Sequence, residues 1–340
     1  MSSSAATPAV PDALPEVKAD RIPLLLIPAL ALLALPAIGS FSTWVTLTFA
    51  GLAMGMIIFI IASGLTLVFG LMDVLNFGHG VFITLGAFLA VSVLGAMAPW
   101  STSDRMILNV AVVLVAMLVA MVVTGAVGLG YERLIIRPVY GNGLKQILIT
   151  MGGMIVGEEL IKVIWGPQAI PLPLPTAFRG SVLFGEAAVE RYRLIAVVIG
   201  LIVFAAMIWV LSNTKVGLLI RAGVHDREMV ESLGYHIRRL FVGVFVAGSA
   251  LAGLGGVMWG LYQQGVMPQM GSAVNVLLFI VIIIGGMGSV GGCFIGALLV
   301  GLVANYTGFL VPKVALFSNI LLMVVILLWR PAGLYSVGKR

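Results

Sequence analysis

The chain has 340 residues, of which 61% are hydrophobic and only 9% are charged, and its formal net charge is +6. A soluble domain usually carries about 25% charged residues, so this composition excludes a water-soluble globular protein. Because apolar residues extend along nearly the whole sequence, we expect a polytopic membrane protein rather than a soluble domain with one anchor. Cys293 is the only cysteine, which excludes an intrachain disulfide.

Residues 1–20 are rich in Ser, Ala and Pro without apolar periodicity, and we predict a flexible N-terminal tail there. The remainder, 21–340, is predicted to form one transmembrane domain of apolar segments, most of them close to the ~20 residues that cross a bilayer. The segments lie at 22–40, 43–69, 80–98, 106–130, 144–165, 194–212, 238–262, 274–288, 291–310 and 314–330. Only helices pair their backbone groups internally in lipid. The predicted fold class is therefore all-α, a polytopic transmembrane helix bundle with about 9–10 membrane segments.

The first segment, 22–40, permits two interpretations. It follows Lys18 and Arg21 and ends on small residues, as a signal peptide does, but its length is more typical of a retained helix. Ten spans would place both chain ends on the same side of the membrane. Lys and Arg are concentrated in the connecting loops that would lie on the same side of the membrane as the N-terminus. This bias predicts that both chain ends are cytoplasmic.

Glycines interrupt two apolar regions, "FGLMDVLNFGHGVFITLGAF" and "IIIGGMGSVGGCFIGALL", and both are predicted to be broken helices. The first region contains a polar element made of Asn76, Gly78, His79 and Gly80. A break frees backbone groups that need partners, so Asn76 and His79 can brace a hinge. Alternatively, both side chains face the path of a transported solute.

The most informative polar stretch is the charged segment 213–239, which lies between two apolar segments. A short helix is predicted from Asp226, which can cap its start, to Gly234, which can end it. Its residues form two sets, an apolar face of Met229, Val230 and Leu233 and a charged surround of Arg227, Glu228 and Glu231. A plain interfacial helix is more often simply basic, so the mixed charge favours a protein partner over lipid headgroups.

Three charged residues, Glu158, Glu159 and Lys162, fall inside the apolar segment 144–165. Charge within a membrane span is costly and indicates a function unless it is paired. Glu158 and Lys162 have the i,i+4 spacing of an ion pair, and the end of a Lys side chain can reach water. Pairing of Glu158 with Lys162 is therefore the favoured interpretation, and a functional role is the alternative.

The external segment 166–193 contains the Pro-rich pattern "GPQAIPLPLP", which predicts an extended stretch. This stretch either receives another protein or is simply a stiff loop. Gln263 and Gln264 follow a span on the same side and are candidates for the same surface.

Four stretches, in order along the chain, resemble the permease subunits of branched-chain amino-acid-type ABC importers. They are "ASGLTLVFGLMDVLNFGHGVFITLGAFLA", "GLLIRAGVHDREMVESLGYHIRRLFVGVFVAGSALAGLGGVMWG", "IIIGGMGSVGGCFIGALLVGL" and "PAGLY". Together they extend over about residues 43–335. The N-terminal helix departs from the family pattern, since many members begin near the second span.

The resemblance implies a division of labour within a bacterial inner membrane. Two permease subunits, usually two different ones, would form the pathway in contact with membrane lipid. Two cytoplasmic ATPases would bind ATP and Mg, and a periplasmic binding protein would deliver the solute. The chain itself would hold no cofactor and would bind no nucleic acid.

The resemblance also assigns the charged segment to ATPase coupling, and 21–340 to a single permease domain. The residues implied in coupling are Arg221, Asp226, Arg227, Glu228, Met229, Val230, Ser232, Leu233 and Gly234. It identifies the Asn76–Gly80 stretch as a recurring family element, with the hinge and pathway interpretations both open.

A stand-alone secondary transporter is the main alternative function. It would need a relay of buried carboxylates or a charged gate, and the chain offers few candidates. The absence of a Gly-x-x-x-x-Gly-Lys-Ser/Thr loop fits either function. A membrane enzyme is disfavoured, because there are only 3 His and neither an HExxH nor a Gly-x-Ser-x-Gly motif. Branched-chain amino acids are the usual solutes of the family, while urea, short amides and organic acids stay open.

Overall fold

The computed structural model describes residues 22–335 with the exception of Asp73 and Asp226, so the predicted tail at 1–20 lies outside the described residues. The long helices are α1 (Ile22–Ile38), α2 (Phe41–Met72), α3 (His79–Ala96), α5 (Met106–Tyr131), α6 (Gly143–Trp165), α7 (Arg191–Asn213), α10 (Ile237–Gln263), α11 (Met270–Gly285), α12 (Val290–Leu310) and α13 (Ala315–Trp329). The short helices are α4 (Ala98–Ser101), α8 (Lys215–His225) and α9 (Arg227–Ser232). Single turns of other types are a π turn at Glu132–Ile136 and 3₁₀ turns at Arg137–Val139, Thr176–Phe178 and Pro312–Val314.

A helix lies at each of the ten predicted apolar segments, which confirms the all-α polytopic fold class. Among the described residues, 6 helices are long and apolar enough to cross a membrane, namely α2, α3, α5, α7, α10 and α12. The apolar helices α1, α11 and α13 are shorter. The remaining helix, α6, has 23 residues but carries four charged ones.

Helix α2 lies at the centre of the bundle and packs against α12, α10 and α7. Glycines permit these close approaches. A Cβ added to Gly55 would lie 2.8 Å from the carbonyl oxygen of Ala297 on α12, and one added to Gly64 would lie 2.8 Å from the Cα of Gly248 on α10. Small residues let helix backbones approach in lipid, where van der Waals packing and hydrogen bonds hold helices together.

Both predicted helix breaks are present. Helix α2 ends at Met72 and α3 begins at His79, while α11 ends at Gly285 and α12 begins at Val290. In the second break the backbone takes positive φ angles of 93° at Gly286 and 83° at Gly288, which an L side chain rarely adopts.

Four short strands form a cap at one end of the bundle. β1 (Ile170–Pro171) pairs with β4 (Gly265–Val266), and β2 (Ser181–Phe184) pairs with β3 (Ala187–Glu190), both antiparallel. The predicted extended stretch is thus partly folded, with its Leu172 buried, and Phe178 just after it is buried as well. We call residues 170–190 and 265–266 the strand cap. It marks the end of the bundle opposite to α8 and α9.

Candidate functional site

The break between α2 and α3 lies deep inside the bundle. The imidazole of His79 is 1% exposed, and its Nε2 lies 3.2 Å from the carbonyl oxygen of Ile61. Because a carbonyl only accepts, Nε2 carries the hydrogen in this bond. Ile61 precedes Met72, the last residue of α2, by eleven residues. At 1.5 Å per residue this is about 16 Å, roughly half of a hydrocarbon core of ~30 Å.

The two glycines of the break are required by close contacts. A Cβ at Gly78 would overlap the hydroxyl group of Tyr131. A Cβ at Gly80 would lie 2.8 Å from the backbone carbonyl of Gly271, at the start of α11. Helices α3 and α11 therefore meet, first turn against first turn, near the mid-height of α2.

Side chains from both helices hold this junction together. The backbone N–H of Gly271 donates to Thr84 Oγ1 at 3.0 Å, and Thr84 Oγ1 donates to the carbonyl of Gly80 at 3.2 Å. Asn275 Nδ2 donates to the carbonyl of Phe77 at 2.7 Å. Helix starts that meet within the membrane are typical of transporter sites built from discontinuous helices.

The sequence interpretation missed Thr84, Gly271 and Asn275. Gly271 and Asn275 lie about 190 residues away from the break in the sequence, so no local pattern connects them to it. The signal that could have found Asn275 is an amide inside an otherwise apolar span.

The break is also joined to α6. The N–H of Phe77 donates to Thr150 Oγ1 at 3.2 Å, and the hydroxyl of Tyr131 donates to the carbonyl of Thr150 at 3.2 Å. Asn76 is fully buried beside them, with neither amide atom hydrogen-bonded to any described residue. A buried polar group without a partner costs about 1–3 kcal/mol. The side-chain amide of Asn76 is thus the polar group of the break that forms no hydrogen bond with a described residue.

Enclosure limits what these side chains can contact in this conformation. Asn76 is 0% and His79 is 1% exposed, so both are enclosed by the chain rather than open to a surface groove. His79 braces α3 against α2, while the side chain of Asn76 contributes no hydrogen bond to the described junction. Of the two polar residues, His79 therefore has the geometry expected of a brace.

The charged segment folds into two helices rather than one. The structure adds α8 before the predicted helix, with the N–H of Gly217 donating to Thr214 Oγ1 at 3.2 Å where α8 starts. The predicted helix is α9, and its end is closed by Gly234, whose φ is +85° and whose N–H donates to the carbonyl of Glu231 at 2.9 Å. The predicted cap residue Asp226 lies outside the described residues.

The apolar residues of α9 divide between two directions. Val230 is 3% exposed and packs toward the bundle, whereas Met229 is 61% and Leu233 is 67% exposed. Met229 and Leu233 share the outer face, and Val230 does not belong to it, because a residue one position on is rotated by about 100° around the helix. The predicted three-residue face is therefore corrected to a two-residue face.

The remaining residues of the segment surround this outer face. Arg221, Glu228 and Ser232 are exposed, and the hydroxyl of Ser232 donates to the carbonyl of Met229 at 2.7 Å. Arg227 is the first residue of α9, and the structure does not describe its side chain. The α8–α9 element, residues 215–234, thus presents exposed apolar side chains beside charged ones.

The charges of α6 pair differently from the prediction. Lys162 Nζ lies 2.6 Å from Oε1 of Glu159, with an i,i+3 spacing, and not next to Glu158. Oε1 of Glu158 is buried without a hydrogen-bond partner among the described residues. The predicted Glu158–Lys162 pair is therefore wrong, because Lys162 turns toward Glu159.

Comparison with known proteins identifies relatives over most of the chain. The family model for the permease component of branched-chain amino acid transport systems matches residues 47–329. A high-affinity branched-chain amino acid transport system permease protein, BraD of Pseudomonas aeruginosa, is 29% identical over 84% of this chain and 93% of its own length. The corresponding LivH of Escherichia coli is 25% identical over 84% and 93%. LivM of Escherichia coli is 26% identical over 84% of this chain and 69% of its own length. No solved structure matches.

Proposed function

The chain belongs to the family of permease components of branched-chain amino acid transport systems, and we propose that it is the membrane subunit of an ATP-driven importer of branched-chain amino acids. The observation that carries this proposal is the match over residues 47–329, which includes both helix breaks and the α8–α9 element. The alignments with the permeases BraD and LivH extend over 93% of the length of each of these relatives. The likeness therefore extends over a whole permease and not over one motif.

A second permease subunit completes the pathway in this proposal. LivH and LivM of Escherichia coli are both named as permease proteins of high-affinity branched-chain amino acid systems, and this chain is similar to both. Two related permeases in one organism support a hetero-dimeric arrangement.

The α8–α9 element is the proposed docking site for the ATPase subunits, which would hold ATP and Mg. Its outer face has the composition of a protein contact, since Met229 and Leu233 are exposed beside Glu228 and Arg221. Exposed apolar side chains rimmed by charge fit a groove in a partner protein better than they fit water.

Helix α10 would carry motion from the docking site to the break. It begins at Ile237, three residues after Gly234, and it runs against α2 and α3. These helices contact each other closely at glycines, since Gly248 faces Gly64 on α2 and Gly253 faces Gly86 on α3. A shift of α10 would therefore reach α3, whose first residue is the brace His79.

The strand cap is the proposed contact for the periplasmic binding protein. It lies opposite to the α8–α9 element and contains exposed Leu183 and Phe184. This arrangement places the cap in the periplasm if both chain ends and α8–α9 are in the cytoplasm. The multi-pass chain would then lie in the inner membrane with its N- and C-termini inside.

Copurification tests the proposal directly. The tagged chain, expressed with the other subunits of its transport system, should bring an ATPase with it in mild detergent. In proteoliposomes with the binding protein, leucine, isoleucine or valine should stimulate ATP hydrolysis, while urea and short carboxylates should not. Solute uptake by the chain alone, without any ATPase, would instead favour a secondary transporter.

A further inference from the structure

Helix α6 differs from every other long helix of the described chain. It alone among the ten contains acidic residues, and it packs on the bundle along one stripe that includes the buried Gln146, Thr150 and Ile161. The opposite side of the helix is open. We call it the α6 outer face, made of Leu148, Gly152, Ile155, Glu159 and Val163, all of which are exposed.

The carboxylates of α6 lie at the depth of the hydrocarbon core. Gly157 packs against Val81, in the first turn of α3, and His79 in that turn is bonded to the middle of α2. Glu159 precedes Trp165, the last residue of α6, by six residues, or about 9 Å along the axis. An acidic side chain near the centre of a bilayer costs about 2.5–3.5 kcal/mol on insertion scales.

Local pairing reduces this cost only in part. Lys162 lies 2.6 Å from Glu159, yet the side chain of Glu159 stays 63% exposed. Glu158 has no opposite charge of its own within reach among the described residues, and its buried Oε1 has no hydrogen bond there. Two carboxylates and one ammonium group leave a net negative charge on this part of α6, where Glu159 lies on the open side and Oε1 of Glu158 is buried.

Other exposed faces of the bundle have a different composition. On α5, Leu118 and Val122 are 61% and 70% exposed, and on α7, Leu201 and Ile202 are 46% and 61% exposed. Neither helix has a charged residue near these positions. Such purely apolar faces are suited to lipid, whereas the α6 outer face carries the charged Glu159 among its apolar residues.

We propose that the α6 outer face lines the water-filled solute path and faces the second permease subunit across it. The inference rests on the proposed function, because it takes the chain to be one of two permease subunits that form a path between them. Water and polar groups of the partner would then solvate Glu159 on this face. Gly152 is also open, since a Cβ there would meet no atom within 4 Å, and this leaves room for solute beside the helix.

Single cysteines test whether water reaches this face. Cys293 is fully buried, so the variant Cys293→Ala gives a background without thiols. Ile155→Cys on α6 is compared with two controls, Leu118→Cys on α5 and Ile202→Cys on α7. The native side chains are similarly exposed, 58% for Ile155 and 61% for both Leu118 and Ile202. The complete complex in proteoliposomes is treated with a charged maleimide, which reacts with the thiolate and hence with a hydrated cysteine. Ile155→Cys should be labelled while both controls stay unmodified.

A photoreactive maleimide on Ile155→Cys then tests the partner. Illumination should attach it to the tagged second permease, whereas the same reagent on Ile202→Cys, introduced in detergent before reconstitution, should not. If Ile155→Cys is as unreactive as the controls, α6 faces lipid and the inference fails. If it is labelled but attaches only to lipid or to the ATPase, the assignment to the second permease fails.

The proposed function is measured separately on the Cys293→Ala background. Copurification of the ATPase and leucine uptake in that background test the importer itself. Their presence together with an unlabelled α6 would overturn only the inference, and their absence would overturn the proposed function.

Discussion

At the break between α2 and α3, the two polar side chains differ in what they contact. His79 donates to the carbonyl of Ile61 at 3.2 Å, and this bond connects the first residue of α3 to the middle of α2. Asn76 is equally buried, but its side-chain amide has no hydrogen bond to a described residue. The bracing interpretation therefore has geometric support at His79 and none at Asn76.

His79→Ala should lower the stability of the solubilised protein, because it removes a buried hydrogen bond that is worth about 0.5–1.5 kcal/mol and leaves a cavity. Asn76→Ala is the matched change and should not lower stability, since no side-chain hydrogen bond is lost and a buried unpaired amide is removed. Thermal unfolding in detergent measures both. Equal destabilisation by the two variants would contradict the distinction, and altered solute selectivity in His79→Ala would show that His79 lines the pathway.

Glycine at position 80 is required by the backbone of α11. A Cβ there would lie 2.8 Å from the carbonyl of Gly271, closer than real Cβ atoms come to such atoms. Gly80→Ala should therefore cost about 1–3 kcal/mol by overpacking. Gly95→Ala, in the last turn of α3, is the control, because a Cβ there meets no atom within 4 Å. Equal unfolding temperatures of these two variants would argue against a rigid α3–α11 junction.

At the scale of elements, the α8–α9 pair is the part of the chain with the clearest exposed contact surface. Val230 anchors α9 to the bundle, and Gly234 permits the sharp turn into α10. The outer face formed by Met229 and Leu233 is connected through this turn to α10, whose Gly248 and Gly253 face glycines of α2 and α3. A partner that moves α9 would therefore move α10 as well.

Leu233→Glu should abolish copurification of the ATPase and solute-stimulated ATP hydrolysis, because it places a carboxylate in an apolar contact. The chain should remain folded, since Leu233 is 67% exposed. Leu183→Glu in the strand cap, with a side chain 71% exposed at the opposite end of the bundle, is the matched control for copurification of the ATPase only, because the cap is the proposed contact of the binding protein. ATPase binding that survives in Leu233→Glu would show that α9 is not the docking site.

At the scale of the whole molecule, the strand cap and the α8–α9 element lie at opposite ends of the helices. The cap depends on contacts between distant segments. Asn109 on α5 accepts from the N–H of Ala177 at 3.0 Å and donates to the carbonyl of Ser103 at 2.7 Å. Pairing of β1 with β4 then joins this segment to the end of α10. The cap is thus a folded surface rather than a loose loop.

Membrane orientation is predicted with the cap outside. On the Cys293→Ala background, Ser181→Cys should react with an impermeant maleimide on intact spheroplasts. Ser232→Cys should react only in inside-out vesicles, because α9 would then be cytoplasmic. Both serines are exposed, so burial does not limit either reaction. The reverse labelling pattern would invert the orientation and contradict the assignment of partners to the two ends.

Composition and local patterns were sufficient for the membrane class, the ten helices and both breaks. These features depend on neighbouring residues: a run of apolar side chains predicts a span, and clustered glycines predict an interruption. The helix end at Gly234 was predicted in the same way, from a residue that tolerates positive φ.

Only the tertiary structure determines which polar groups form hydrogen bonds and ion pairs with one another. The hydrogen bond from Asn275 to Phe77 joins residues 198 positions apart. The contact of Gly80 with Gly271 is likewise not indicated by the sequence around either glycine. Lys162 pairs with Glu159, whose side chain is 63% exposed, rather than with Glu158, whose Oε1 is buried. Spacing along one helix allows both pairs with similar energy, so only the packing of that helix against its neighbours selects between them.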